Sequence, residues 1–299
     1  MSDQRPNILW LMTDEQRADS LGEGGAPWAH TPHLDRVTRS GTRFGAAYTA
    51  SPVCVSARAC LLTGRYGSSI GVLNNHHRLA LDDPRFLTWT LAANGYQVAS
   101  FGKQHYNCTR RAFDLEGGQV LGDRVHYYHY QVPVDAREAG IVRYDTGKSP
   151  WLFAGRYPGT IDDTPEMENV QQALDWMARR DPSRPYLLRV SFNAPHTPVA
   201  TPAPFDTLID SAAIDLPIDR PQKEDFASTT HRDHLWDYAG THRLSEAQIR
   251  RARQCYYGYV ACADHIFGRL LDALGEMGEL ENTLIAFLSD HGTHLGDHG

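Results

Sequence analysis

No apolar run in the 299 residues approaches the roughly 18 needed to cross a bilayer as a helix, so the sequence offers no membrane-spanning segment. Positive charge is also in short supply: 29 Lys and Arg against 36 Asp and Glu leave a net charge of −7. A mildly acidic chain is a poor fit to general nucleic-acid binding. Cysteine is scarce and odd in number, five in all, which argues against a complete disulfide framework and for a reducing compartment. The N-terminus runs from Arg5-Pro6 straight into a strand-like segment with no signal-peptide layout, and the expected location is cytoplasmic. There is no internal repeat and no low-complexity segment. Hydrophobic residues at 41% and charged residues at 22% exclude global disorder.

Four short apolar runs read as buried strands: Asn7–Met12, Gln97–Phe101, Tyr186–Phe192 and Leu284–Leu288. Each leads directly into residues with chemical capability. Asp14 and Glu15 follow the first, Lys103 and His105 the second, Asn193 and His196 the third, Asp290 and His291 the fourth. Ligands of open α/β sheets bind outside the carboxyl ends of the strands. The layout alone therefore predicts a site where these four ends meet.

Helical segments separate the strands. Phe86–Asn94 is amphipathic and stops at Gly95. Thr164-Pro165 opens a helix running to about Arg180, with proline at the first helical position. Ser245-Glu-Ala-Gln248 is a capping box, and Leu244 can staple to Ile249. Apolar residues from Ile249 to Leu274 keep helical spacing and predict a long helix on the sheet, ending near Gly275. Cys60, and Cys255 with Cys262 on one face of the long helix, read as packed thiols. The expected fold is α/β, a mostly parallel central sheet with helices on both faces. Residues 106–160 and 197–243 lack a clear period and read as insertions above the strand ends.

The densest chemical signal is Ser51-Pro-Val-Cys54-Val-Ser-Ala-Arg58-Ala-Cys-Leu-Leu-Thr-Gly64. A cysteine opens a helical stretch, with an arginine one turn on. A helix N-terminus and a guanidinium both favour an oxyanion, and both lower a thiol pKa. A buried structural cysteine is the competing reading from the residues alone.

This stretch resembles the signature of the sulfatase family, within the alkaline-phosphatase superfamily: Cys-x-Pro-x-Arg, then Thr-Gly. Cys54, Arg58, Thr63 and Gly64 match, and Ser56 replaces the usual proline. The resemblance extends along the chain. Pro6-Asn-Ile-Leu-Trp-Leu-Met-Thr-Asp14 looks like the family's first metal strand, and Thr31-Pro-His-Leu-Asp-Arg like the opening of its first helix. Gly95-Tyr-Gln-Val-Ala-Ser-Phe-Gly-Lys103-Gln-His105, Ala194-Pro-His196-Thr-Pro and Ser289-Asp290-His291-Gly292 resemble three further motifs, in the family's order.

The resemblance implies a sulfuric ester hydrolase, arylsulfatase-like. Cys54 would be oxidised to formylglycine by a formylglycine-generating enzyme, and its hydrate would attack sulfur. A divalent cation, Ca²⁺ first, with Mg²⁺ or Mn²⁺ in range, would be held by Asp14, Glu15, Asp290, His291 and the residue-54 oxygen. Arg58 and Lys103 would hold the sulfuryl oxygens, His196 would protonate the leaving oxygen, and His105 would accept the proton that frees sulfate. Asn75 would face the substrate. The substrate would be a small-molecule or saccharide sulfate ester, with neither nucleic acid nor membrane as partner.

Two alternatives stand. Asp14-Glu-Gln-Arg17-Ala-Asp19 resembles the formylglycine-type phosphonate monoester and phosphodiester hydrolases, but that group has Tyr and Thr where this chain has Lys103 and His105. The other is a non-catalytic sulfatase-like protein that binds sulfated ligands. It draws on Ser56 and on the lack of the later lysine and C-terminal subdomain that family members carry. Residues 1–299 are accordingly read as a sulfatase-like N-terminal catalytic domain, incomplete at its C-terminus.

Overall fold

Alternation along the first strand decides the architecture. In β1 (Asn7–Thr13), Leu9 and Leu11 point to one side and Trp10 and Met12 to the other, and all four are buried. A strand apolar on both faces must lie inside a sheet covered on both sides. The computed structural model describes residues 5–79, 86–106, 115–117, 154–218, 223–225, 227–230, 236 and 240–298.

Within it β1 pairs with β5 (Tyr186–Ser191) on one side and β7 (Thr283–Ser289) on the other. Beyond β5 lie β2 (Gln97–Gly102) and β3 (Leu115–Gly117). The order is β3-β2-β5-β1-β7 and every pairing is parallel. The four predicted strands are present, each shifted by no more than a residue at its ends.

Leu9, Leu11, Ala99, Phe101, Leu188 and Val190 pack against α5 (Pro165–Arg179) and α6 (Glu246–Glu276). Trp10, Met12, Val98 and Leu187 pack on the other face against α2 (Cys54–Thr63) and residues around α4 (Leu87–Ala93). Each fully buried Leu or Val here contributes roughly 1.5–3 kcal/mol relative to exposure. The expected two-sided α/β sheet is the fold. No helix among the described residues is long and apolar enough to cross a membrane.

The local signals act as their chemistry requires. Thr164 accepts the Met167 amide and Pro165 occupies the first position of α5. Ser245 and Gln248 make both bonds of the capping box. Leu244 and Ile249 share one core. The long helix passes Gly275 and ends at Glu276, because the left-handed residue is Gly278 (φ +70°). Cys60, Cys255 and Cys262 are buried free thiols.

The presumed insertions carry structure that periodicity did not reveal. Residues 115–117 form the edge strand β3, while β4 (Ala154–Arg156) and β6 (Val199–Thr201) make a separate two-stranded sheet. Thr201 Oγ1 donates to the Cys255 carbonyl at 2.7 Å, tying this small sheet to α6. Three-residue strands are too short for a period to register. Residues 107–114 and 118–153, and much of 219–239, lie outside the described residues.

Candidate active site

Cys54 is the first residue of α2, after an extended Val53, and the helix closes on Gly64 in the left-handed conformation (φ +65°). Three bonds fix this first turn. The Val53 carbonyl accepts the Ala57 amide at 2.8 Å, Asn75 Oδ1 accepts the Val55 amide at 3.0 Å, and Ser56 Oγ donates to the Val72 carbonyl at 2.6 Å. Asn75, expected to face the substrate, spends its carbonyl oxygen capping the nucleophile helix. His77, two residues on, is engaged with the backbone of Leu73 in its own loop.

The parallel register sets Thr13 beside Ser289, so Asp14 and Asp290 leave adjacent strands together. The Asp14 amide donates to the Ala194 carbonyl and the Asp290 amide to the Thr13 carbonyl. Donor atoms of Asp14, Cys54, Asp290 and His291 all lie within 4.8 Å of one another, and the four residues are buried. Cys54 Sγ is 3.3 Å from His291 Nε2 and 3.7 Å from Asp14 Oδ1.

Glu15, expected as a further ligand, is not in this group. Its backbone is left-handed (φ +62°) and its amide donates to Asp290 Oδ1 at 3.2 Å. That turn directs its carboxylate to His196, where Oε1 is 3.4 Å from Nε2. Burial, and then Asp290, raise the Glu15 carboxyl well above the usual carboxylate range.

Two cations neutralise the paired carboxylates. Arg58 Nε donates to Asp290 Oδ2 at 2.9 Å, and its Nη2 is 3.5 Å from Asp14 Oδ2. Arg58 Nη1 donates to the Lys103 carbonyl and to Ser191 Oγ. Its side chain is wholly buried. Arg58, expected at the sulfuryl oxygens, lies between the Asp14 and Asp290 carboxylates. Lys103 Nζ forms a close ion pair with Asp14. Burial lowers Lys103 to about 8, against the opposing pull of Asp290. Burial pushes Asp290 up, but Arg58, His291 and Lys103 outweigh it and hold its carboxyl below the usual carboxylate range.

The thiol departs from the sequence expectation. Burial first, and Asp290 second, raise Cys54 to about 12, and Arg58 only partly offsets them. The helix terminus and guanidinium do not make a thiolate here, because two carboxylates face the same sulfur. Burial, then Lys103 and Arg58, lower His105 to about 2, so its imidazole is neutral and, beside those two cations, a weak base. His196 is also driven well below its ordinary range, chiefly by burial.

The donor chemistry suits a hard divalent cation. Two buried carboxylates and an imidazole converge on the residue-54 side chain, and an oxygen there in place of sulfur would complete a hard set.

Sequence reasoning missed several residues that hold this arrangement. Glu166, fully buried on α5, accepts the Ala194 amide at 3.1 Å and the Tyr259 hydroxyl at 3.0 Å. It thereby anchors the loop that carries His196 and receives the Asp14 amide. Tyr256 accepts the Arg17 amide and donates to the Glu15 carbonyl. Arg17 and Arg253 both bind Asp297, securing the loop after His291. In sequence, Glu166 reads as a first-turn helix acid and Tyr256 as one member of an apolar stripe; only the packing reveals their partners. His294 and His298 lie edge to face, 5.7 Å apart, outside the four-residue cluster.

The chain is 29% identical over 320 residues to an arylsulfatase of Clostridium perfringens, covering 98% of this chain and 64% of that protein. It is 29% identical over 338 residues to the multifunctional alkaline phosphatase superfamily protein PehA of Trinickia caryophylli, with the same coverage. The crystal structure of the phosphonate monoester hydrolase of Agrobacterium radiobacter superposes with a TM-score of 0.78 at 23% identity, again over 98% of this chain and 64% of that one. The chain thus spans about 64% of the length of these proteins. The sulfatase family model matches residues 6–299, nearly the whole sequence, and with five motifs meeting at one sheet edge, the chain belongs to the sulfatase family of the alkaline phosphatase superfamily.

Proposed function

We propose that this chain carries the catalytic face of a sulfuric ester hydrolase acting through a formylglycine made from Cys54. The observation that carries the reading is the position of Cys54: first turn of α2, its Sγ between Asp14 and His291, with both metal-type carboxylates backed by Arg58 and Lys103. A structural cysteine has no need of that setting.

Asp14, Asp290, His291 and the residue-54 side chain would hold the cation, Ca²⁺ by preference, with Mg²⁺ or Mn²⁺ in range. When bound, it supplies Lewis-acid polarisation of the sulfuryl oxygens and favours a deprotonated nucleophile. Oxidation of Cys54 supplies an aldehyde hydrate, an oxygen nucleophile where the buried thiol is protonated. Lys103 holds the sulfuryl oxygens, and Arg58 orients both carboxylates from behind. His196 is placed to deliver the proton to the leaving oxygen, with the Glu15 carboxyl 3.4 Å from its Nε2. His105 is the group that accepts a proton from residue 54, its basicity restored when the negative charge of a bound sulfuryl group offsets Lys103 and Arg58, which lower it in the free site. The substrate is a small-molecule or saccharide sulfate ester, as the relatives named arylsulfatase and N-acetylglucosamine-6-O-sulfatase suggest.

A second reading, hydrolysis of phosphonate monoesters or phosphodiesters, draws on the Asp14–Asp19 segment and on the likeness to PehA. Lys103 and His105 at the site favour sulfate. Parallel turnover of an aryl sulfate and an aryl phosphonate, with the mass of the peptide spanning 44–65 measured on the same sample, tests both. Aldehyde at residue 54 with faster sulfate turnover supports the proposal; faster phosphonate turnover moves it to the second reading. Unmodified Cys54 with no turnover of either leaves a sulfatase-like binding protein.

A further inference from the structure

Position 189 lies in the middle of β5, where its in-register neighbours are Trp10 and Ser100. The surrounding residues on this face are Trp10, Met12, Val98 and Leu187, an apolar layer. Arg189 is nevertheless only 1% exposed. A guanidinium in such a layer costs several kcal/mol unless its donors find acceptors. Nε donates to Ser100 Oγ at 3.0 Å, and Nη2 to the Lys103 carbonyl at 2.9 Å and to Gln104 Oε1 at 2.6 Å. The indole of Trp10 and the ring of Tyr106 lie 5.5 and 5.9 Å from its central carbon. These three acceptors are neutral, so the bonds fix geometry more than they cancel charge.

Two of them belong to the turn after β2, the turn that presents Lys103 and His105. Both ends of that turn have positive φ: Gly102 at +89°, which glycine adopts freely, and His105, an L-residue with no such freedom, at +49°. Gln104 folds back beneath it, its amide donating to Ser100 Oγ and to the Gly102 carbonyl, while Tyr106 donates to its Oε1. The Lys103 carbonyl accepts from Arg189 and from Arg58 together, at 2.9 and 3.0 Å. One carbonyl thus joins the buried network to the carboxylate site.

We infer that Arg189, with Gln104, is the positioning residue that holds Lys103 and His105 in place over the site; the inference rests on the proposed hydrolase function for its kinetic consequence and on the structure alone for its mechanical one. Sequence supports only a strand at 189. A charged side chain in a buried strand is the feature that marks it.

The test compares wild type with Arg189→Met, Arg189→Lys and Gln104→Met, following kcat and KM on the turned-over aryl ester and amide hydrogen exchange across residues 100–106. Methionine suits the apolar face but frees the turn; lysine keeps the charge and reaches fewer acceptors. Displacing catalytic groups by a fraction of an ångström to 1 Å is worth on the order of 10–100-fold in rate. Arg189→Met and Gln104→Met should lower kcat by about tenfold or more with KM nearly unchanged, Arg189→Lys less. Exchange should quicken at 102–106 and not in β1 or β5. Should Arg189→Met not fold, Gln104→Met and Arg189→Lys carry the comparison. Wild-type kcat and wild-type protection at 102–106 in the folded variants would overturn the inference, as would quickened exchange spread evenly over the whole sheet. If wild type turns over neither ester, the hydrolase proposal has failed, and local exchange still decides whether Arg189 holds the turn.

Discussion

Arg58 Nε and Asp290 Oδ2 form a 2.9 Å ion pair between side chains with no solvent exposure, and that pair joins the signature helix to the last strand of the sheet. The residues are 232 positions apart, so their meeting reports tertiary assembly, not local structure. A buried pair is costly to break, because the surviving charge has nowhere to go; removal of one partner typically costs about 3–5 kcal/mol. Asp290→Ala removes the partner of Arg58 and, on the proposed function, a cation ligand. It should lower stability by that order in metal-free buffer. Wild type should gain melting temperature when Ca²⁺ or Mn²⁺ is added, since binding to the folded state alone stabilises it, by about 2.7 kcal/mol at a hundredfold excess over Kd. The variant should not. Thermal scans with and without cation check this, and an undiminished metal-dependent rise in Asp290→Ala would remove Asp290 from the ligand set.

Cys54→Ala deletes a buried sulfur that lies against Asp14 and His291, and alanine is at home in a first helical turn. The variant should fold as wild type does and turn over nothing. Cys54→Ser should also be severely impaired, since a serine alcohol lacks the second hydroxyl of an aldehyde hydrate. Circular dichroism and turnover on the same preparations separate loss of chemistry from loss of fold. Persistent turnover in the alanine variant would end the formylglycine reading.

The strands were legible because each is a short run apolar on both faces, and the long helix because Ile249–Leu274 repeats at helical spacing over many turns. Asp14, Asp290, His291 and Cys54 were legible through family motifs at strand and helix ends, and register then made them neighbours. What sequence could not supply was direction. Glu15 follows Asp14 and looks like a second ligand, yet a left-handed backbone turns it to His196. Arg58 looks like a substrate contact until its donors are found among Asp290, Ser191 and the Lys103 carbonyl. The thiol looks activated by helix and arginine until burial and Asp290 are weighed against them. Glu166 and Arg189 carry no signal beyond their charge, and their roles come from partners 28 to 93 positions away.

Asp264 predicts a pH dependence remote from the active site. From α6 it accepts the His33 and Leu34 amides at 3.1 and 2.7 Å, capping α1 (Pro32–Ser40) from outside. Burial raises its carboxyl to about 7, with the two amide bonds opposing. A folded-state pKa raised above the unfolded value favours the neutral form in the fold. Its stabilisation is therefore complete below about pH 4 and is lost as pH rises through 7, by roughly 2–4 kcal/mol. Asp264→Asn removes the titration and keeps one acceptor. Urea denaturation at pH 5 and pH 8 should show wild type losing more stability across that interval than the variant does. Equal losses in the two proteins would mean that Asp264 stays ionised throughout.

Ser56→Pro sets two effects of one side chain against each other. Ser56 is the third residue of α2, where an amide has no partner within the helix, so proline costs no helical bond there. It does cost the 2.6 Å bond from Ser56 Oγ to the Val72 carbonyl, which lies in a buried layer and is worth about 1 kcal/mol net. Restoring the proline of the family signature should raise the fraction of Cys54 converted to aldehyde, because it completes the modification motif that the resemblance implies. The variant should then be less stable by about 1 kcal/mol and more active per mole, with activity per aldehyde unchanged. Peptide mass measurement, turnover and urea denaturation on the two proteins give the three quantities. If conversion stays level while stability falls, Ser56 serves the Val72 contact alone, and the departure from the signature does not limit modification.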